Sequence, residues 1–188
     1  MPLASVLRAL KQAFEGLGLR WYVFGAQAAI LYGASRLTAD IDVTVELGTT
    51  PIAQLLHKLQ QGGFELRIPD SDGFVERTRV LPIYDSKSRI PVDIVLAGPG
   101  LEELFLQRAS EMIIDNATIP VARAEDLVAM KLLAGRPKDI DDVAAIIAAQ
   151  ESRIDVALIR DTLRILEQAL DQTDLMPQLE RILKQVGQ

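Results

Sequence analysis

The sequence predicts an α/β chain: a mixed, mostly antiparallel sheet flanked by helices and extended by a C-terminal helical region. Three observations predict it. Short aromatic and β-branched runs, such as Arg20 to Phe24 (RWYVF) and Ile41 to Val45 (IDVTV), have the length of strands and are separated by segments of helical period. A β-rich middle follows, with turn-forming residues between its apolar runs. From Arg123 onward the apolar spacing becomes helical and stays so to the end.

Taken in order, Leu3 to Leu17 is an amphipathic helix with Leu3, Val6, Leu7, Leu10 and Phe14 on one face, stopped by Gly16 and Gly18. Arg20 to Phe24 is a buried strand broken by Gly25, and the alanine-rich Ala26 to Tyr32 is a helix. Asp40 to Val45 is a second strand. Pro51 suits the first turn of a helix that continues over Ile52 to Gln61. Phe64 to Ile68, Gly73 to Ile83 and Arg89 to Leu96 are strand candidates, with turns at Pro69 to Gly73 and Tyr84 to Ser88. Leu101 to Ala109 is helical, and Met112 to Val121 adds short edge strands. Ala124 to Leu133, Asp139 to Ala149, Asp155 to Leu170 and Leu175 to Val186 complete the helical part. The organisation expected is a βαβ-type core over residues 1–122 and a helical region over 123–188 packed on it, with a soft boundary.

Composition narrows the functional classes. Half the chain is hydrophobic (49%), which is enough for a sizeable core. Without cysteine there can be no disulfide and no thiolate-bound zinc. The longest apolar runs are short and interrupted by Gly, Arg or Asp, which argues against a membrane span, and no signal peptide is evident; a cytoplasmic location is the expectation. A net charge of -6 disfavours coating of duplex nucleic acid but leaves room for an RNA end held by a local basic patch.

The chemistry concentrates in a few residues. Phe24-Gly25-Ala26 is followed, after thirteen residues, by Asp40-Ile41-Asp42-Val43. Acids at i and i+2 of a strand project from one face, and their oxygens suit magnesium or manganese, which removes the cost of two adjacent carboxylates. A strand ending at Gly25 and leading into a helix puts backbone N–H groups where a phosphate can approach them. Asp93, in the apolar run Pro91-Val92-Asp93-Ile94-Val95, is a charge that needs a partner or a metal and would complete a triad with Asp40 and Asp42.

With these residues the chain resembles the nucleotidyltransferase superfamily that shares a fold with DNA polymerase β. Its signature is an apolar residue, Gly, then Gly or Ser, a gap of about nine to thirteen residues, Asp-apolar-Asp-apolar, and a later strand Asp. Phe24-Gly25, Asp40-Ile41-Asp42-Val43 and Asp93 match it; Ala26 departs from it, keeping the small size and the N–H but lacking a serine hydroxyl. Arg36-Leu37-Thr38-Ala39-Asp40 is similar to the Arg-x-Thr-x-Asp run of small bacterial members, and Ala124 to Asp139 is similar to the helical motif of the AbiEii-like group, which includes type IV toxins. The resemblance covers roughly Trp21 to Val143. It implies a nucleotidyltransferase fold with residues 1–122 as catalytic core, and transfer of a nucleoside monophosphate from a nucleoside triphosphate (ATP among the candidates) to an acceptor hydroxyl. It further implies magnesium or manganese on Asp40, Asp42 and Asp93, and nucleotide contacts from Gly25, Ala26, Gln27, Arg36 and Thr38. Lys131 would assist triphosphate binding and catalysis, with an acid at Asp139 or Asp142 in the site. The acceptor stays open among tRNA or other RNA, a protein and a small molecule, and a cognate antitoxin is a possible partner.

Plainer readings stand beside these. Asp93 could form an ion pair with Arg36 or Arg89, Lys131 could occupy an exposed helix face, and Asp139 and Asp142 could be acids favoured at a helix N-terminus. Arg36 and Thr38 either contact phosphate or brace the Asp40 strand. His57, the single histidine, reads as a surface or boundary residue. No nucleophile-elbow serine and no Gly-x-x-x-x-Gly-Lys loop is present, which removes serine hydrolases and P-loop enzymes. For an RNA acceptor the basic candidates are Arg67, Arg77, Arg79, Lys87 and Arg89. The alternative class is a non-catalytic nucleotide-binding or partner-binding protein that kept the fold, which retention of all three acids weighs against.

Overall fold

The computed structural model describes residues 2–68 and 71–187, so Pro69 and Asp70 of the turn expected over Pro69 to Gly73 lie outside the described residues, while Ser71 to Gly73 open a helix instead. The chain folds as two compact units, one of residues 1–27 and 38–122, the other of residues 28–37 and 123–188.

The first unit contains α1 (Pro2–Glu15), β1 (Trp21–Phe24), the start of α2 (Gly25–Leu31), β2 (Ile41–Val45), α3 (Ile52–Gln61), β3 (Phe64–Leu66), α4 (Ser71–Thr78), β4 (Val80–Asp85), β5 (Pro91–Leu96), α5 (Leu101–Arg108), β6 (Ser110–Ile114) and β7 (Ala117–Val121). Its strands form one mixed sheet in the order β3-β4-β5-β2-β1-β7-β6. The β2–β5 and β1–β7 pairs are parallel, and the other four are antiparallel. Ile41, Val43 and Val45 of β2 and Val92, Ile94 and Leu96 of β5 alternate onto a buried face, as the period of two requires. Helix α1 packs on α3 and β7, burying Val6, Leu7, Leu10 and Phe14, with the Phe14 ring 5.1 Å from that of Trp21. Burying a side chain of this size contributes roughly 1.5–3 kcal/mol.

Three expectations change in detail. The expected strand from Gly73 is helix α4 as far as Thr78, and β4 starts only at Val80. A strand there would set Val75 beside Arg77 and Arg79 on one face and Phe74 beside Glu76 on the other, so neither face would be apolar; the helix buries Val75 and leaves Glu76 and Arg77 exposed. Strand β7 is interior rather than an edge, because β1 takes it up in parallel and Ala122 N–H donates to Val23 O at 2.9 Å; β6 is the edge. Strand β2 begins at Ile41, so Asp40 is the residue that leads into it.

The second unit holds the end of α2, then α6 (Ala124–Ala134), α7 (Pro137–Gln150), a 3-10 turn (Glu151–Arg153), α8 (Val156–Leu170) and α9 (Leu175–Val186). Helix α6 is stopped by Gly135, whose φ of 62° gives the left-handed C-terminal turn, and Pro137 opens α7 where a missing N–H costs nothing. Asp155 caps α8 by accepting from Leu158 N–H at 3.0 Å. Among the described residues no helix is long and apolar enough to cross a membrane.

Candidate functional site

Strand register assembles the site. In the first unit Phe24 stands opposite Asp42, Asp42 opposite Asp93 on the parallel neighbour, and Asp93 opposite Pro82 on the next strand. Residues directly opposite in adjacent strands share a face, and adjacent strands lie about 4.8 Å apart. Asp42 and Asp93 therefore stand side by side. Both are partly exposed, on the face opposite the apolar side chains Val43, Val92 and Ile94. Asp93 is thus no lone charge inside an apolar run, because the alternation of β5 turns it out of the core.

Gly25 opens α2 with φ +68°, and a Cβ added there would sit 1.9 Å from Asp42 Oδ2 and 2.7 Å from its Cγ. The Asp42 carboxylate therefore rests against a bare α-carbon. No other residue leaves that space, and the positive φ favours glycine independently. Ala26, next in the helix, buries its methyl group. Gln27 is buried as well, and its Nε2 donates to Thr38 O at 3.5 Å. Thr38 Oγ1 in turn donates to Asp40 Oδ1, so Thr38 orients the acid two residues on.

Asp93 carries an ion pair that the sequence did not assign to it. Its Oδ1 accepts from Arg67, not from Arg36 or Arg89. Burial pushes the Asp93 carboxyl above the ordinary carboxylate value; the Arg67 guanidinium pulls it back, and the charge of Asp40 raises it again. Two of the acids thus sense each other. Arg67 itself is fixed by its backbone N–H, which donates to Pro82 O at 3.0 Å. Only the pairing of β3 with β4 and of β4 with β5 brings a residue 26 positions away to Asp93, so no local motif contains it.

In the second unit the remaining expected residues form a chain of alternating charge. Arg36 Nη1 donates to Asp142 Oδ2 at 2.8 Å, and Lys131 Nζ donates to the same oxygen at 2.7 Å. Lys131 also pairs with Asp139 Oδ1 at 3.5 Å, and Arg136 closes the series on Asp139. Lys131 is 5% exposed, so it is not on an exposed helix face, and Asp139 and Asp142 are buried rather than solvated. Burial works against the ionised Asp139, but the hydrogen bond from Arg136 and the charge of Lys131 outweigh it and hold the carboxyl below its usual value. Arg36 is committed to Asp142, while Thr38 braces Asp40. His57 is exposed beside Gln61, at 2.9 Å.

Of the five basic candidates for RNA, Arg79 spends its guanidinium on the carbonyls of Leu96 and Ala97, and Arg89 lies 3.8 Å over the Tyr84 ring. Arg77 and Lys87 are exposed.

Among the described residues no three carboxylate, imidazole or thiolate groups are gathered closely enough to hold a metal as they stand. Thr38 and Arg67 each engage one of the acids. The donor chemistry nevertheless fits a hard divalent cation: the donors are oxygens only, two of them are in register, and the third raises the proton affinity of its neighbour.

The family model for "Nucleotidyl transferase AbiEii toxin, Type IV TA system" matches residues 8–185. No curated protein matches the sequence. The fold is similar to that of the antibiotic-resistance factor ANT(2'')-Ia, with a TM-score of 0.57 at 12% identity, covering 89% of this chain and 93% of that one. It is similar to an antigenic nucleotidyltransferase-like protein from Paracoccidioides brasiliensis, with a TM-score of 0.57 at 19% identity over 97% and 91% of the two chains. It is also similar to the lincosamide antibiotic adenylyltransferase LnuA bound to lincomycin, with a TM-score of 0.51 at 13% identity over 76% and 94%. At these identities the likeness is one of fold.

Proposed function

We propose, from the premise that this chain belongs to the AbiEii nucleotidyl transferase family, that it transfers a nucleoside monophosphate from a nucleoside triphosphate to an acceptor hydroxyl in a divalent-metal-dependent reaction, as the toxin of a type IV pair. One observation carries the reading: Asp42 and Asp93 are register partners on parallel strands, with the Asp42 carboxylate seated against the bare α-carbon of Gly25.

Asp40, Asp42 and Asp93 would hold magnesium or manganese. Bound there, the ion supplies charge neutralisation on the triphosphate and polarises the phosphorus under attack. The residues of the chain prepare that chemistry. Gly25 leaves room for the Asp42 carboxylate, and Thr38 fixes the rotamer of Asp40 through its hydroxyl. Gln27 ties the Thr38 backbone to α2, so the segment entering β2 is held at both ends. The backbone N–H groups of Gly25 and Ala26 are offered to phosphate. Lys131, which the resemblance implicates in triphosphate binding, is buried and held in position by Asp139 and Asp142.

The test is incubation of the purified chain with labelled triphosphates, magnesium, and in turn total RNA, cell lysate and small hydroxylated antibiotics. Label passing to one acceptor class with release of pyrophosphate is the expected result, lost in Asp40→Asn and Asp42→Asn while circular dichroism shows both still folded. Undiminished transfer by folded Asp42→Asn would remove the assignment.

A further inference from the structure

Arg67 lies outside every motif, yet its guanidinium engages one of the three acids of the proposed site. It follows β3, its backbone is anchored to Pro82, and its guanidinium crosses β4 to reach Asp93 Oδ1. The pair is not locked in the core, since the two side chains are 35% and 33% exposed. An exposed pair of this kind is weak enough for a ligand to open. A guanidinium has five N–H donors and no lone pair, so it cannot join a metal's ligand shell. Its positive charge also opposes a divalent cation approaching Asp93, so metal binding there favours its release from that carboxylate. Once released, a planar donor fork on a fixed backbone matches two oxygens of a phosphate chain.

We propose that Arg67 exchanges partners during substrate binding: it neutralises Asp93 in the empty protein, and yields that carboxylate to the divalent cation to take up a phosphate of the incoming triphosphate. This rests on the metal-site reading above. Asp42 stands in register beside Asp93, which explains why a cation is needed there before the metal arrives. Arg67 is thus a substrate-binding residue held in reserve, and its two roles predict effects of opposite sign.

The experiment titrates Mn2+ alone, followed by electron paramagnetic resonance, and then inorganic tripolyphosphate at saturating Mn2+, followed by calorimetry. Wild type, Arg67→Gln, Arg67→Lys and Asp42→Asn are compared. Arg67→Gln should bind Mn2+ about threefold to fivefold more tightly, because the competing charge is gone. It should bind tripolyphosphate on the order of tenfold more weakly, because a charge-assisted hydrogen bond is lost. Arg67→Lys keeps the charge, so its Mn2+ affinity should match wild type. A merely structural arginine would weaken both ligands or neither. Unchanged or weaker Mn2+ binding in Arg67→Gln, or unchanged tripolyphosphate binding, overturns the exchange. If Asp42→Asn abolishes Mn2+ binding while Arg67→Gln changes nothing, the exchange alone fails. If Asp42→Asn binds Mn2+ like wild type, the site reading fails and takes the exchange with it.

Discussion

Replacing Gly25 with alanine separates two reasons for a glycine, because the protein contains its own control. Gly25 and Gly18 share a φ of +68°, but a Cβ at Gly18 would meet nothing within 4 Å, whereas one at Gly25 would lie 1.9 Å from Asp42 Oδ2. Holding a non-glycine residue in the left-handed region costs about 1–2 kcal/mol. In a chain of this size 1 kcal/mol corresponds to about 2–4 °C, so Gly18→Ala should lower the melting midpoint by about 2–8 °C and leave activity unchanged. Gly25→Ala carries the same backbone strain and must also push the Asp42 carboxylate from 1.9 Å to at least 3.0 Å. A displacement near 1 Å at a catalytic group costs on the order of a hundredfold in rate. The assays are scanning fluorimetry, Mn2+ titration and labelled-nucleotide transfer. Gly25→Ala should lose metal affinity and at least about a hundredfold of turnover beyond Gly18→Ala. Equal activity in the two variants would refute the claim that Gly25 exists to seat Asp42.

Two further outcomes concern the helical unit. Lys131→Met removes a buried cation from between Asp139 and Asp142 and should destabilise the fold by about 3 kcal/mol in urea unfolding; Lys131→Met with Asp142→Leu should recover part of that loss. Wild-type stability in Lys131→Met would show that the buried charges do not depend on it. Asp139 titrates below its ordinary value in the folded protein, so its contribution is fully present above the unfolded carboxylate value, about pH 4, and is lost as pH falls through the lower folded value. Urea midpoints measured from pH 6 down to pH 3 should fall less steeply for Asp139→Asn than for wild type; parallel curves would contradict the assignment.

Much of this protein was legible from local pattern alone. The alternation in Ile41 to Val45 and in Pro91 to Leu96 marks strands because side chains there must face a core on every second position. The same alternation that builds the core turns Asp42 and Asp93 away from it, so the spacing of Gly25, Asp40, Asp42 and Asp93 sets out the proposed site in the order of the chain. Helix punctuation was equally local, as Gly135 and Pro137 show. Local pattern misled where two weak signals competed: Phe74 and Val75 suit a strand by composition, but their charged neighbours leave no apolar face, and the chain makes α4 instead.

What tertiary structure alone decided is who pairs with whom. Asp42 meets Asp93 because β5 lies parallel to β2, although 50 residues intervene between them in the sequence. Arg67 reaches Asp93 because β3, β4 and β5 pair in succession, which sets the residue after β3 across β4 from Asp93. Arg36 and Lys131 converge on one oxygen of Asp142 although Arg36 is 106 residues from it. Sequence specifies which side chains must be satisfied, since burial makes an unpaired charge costly. It does not specify the partner, because any arginine within reach can neutralise a carboxylate, and reach is set by strand order and register.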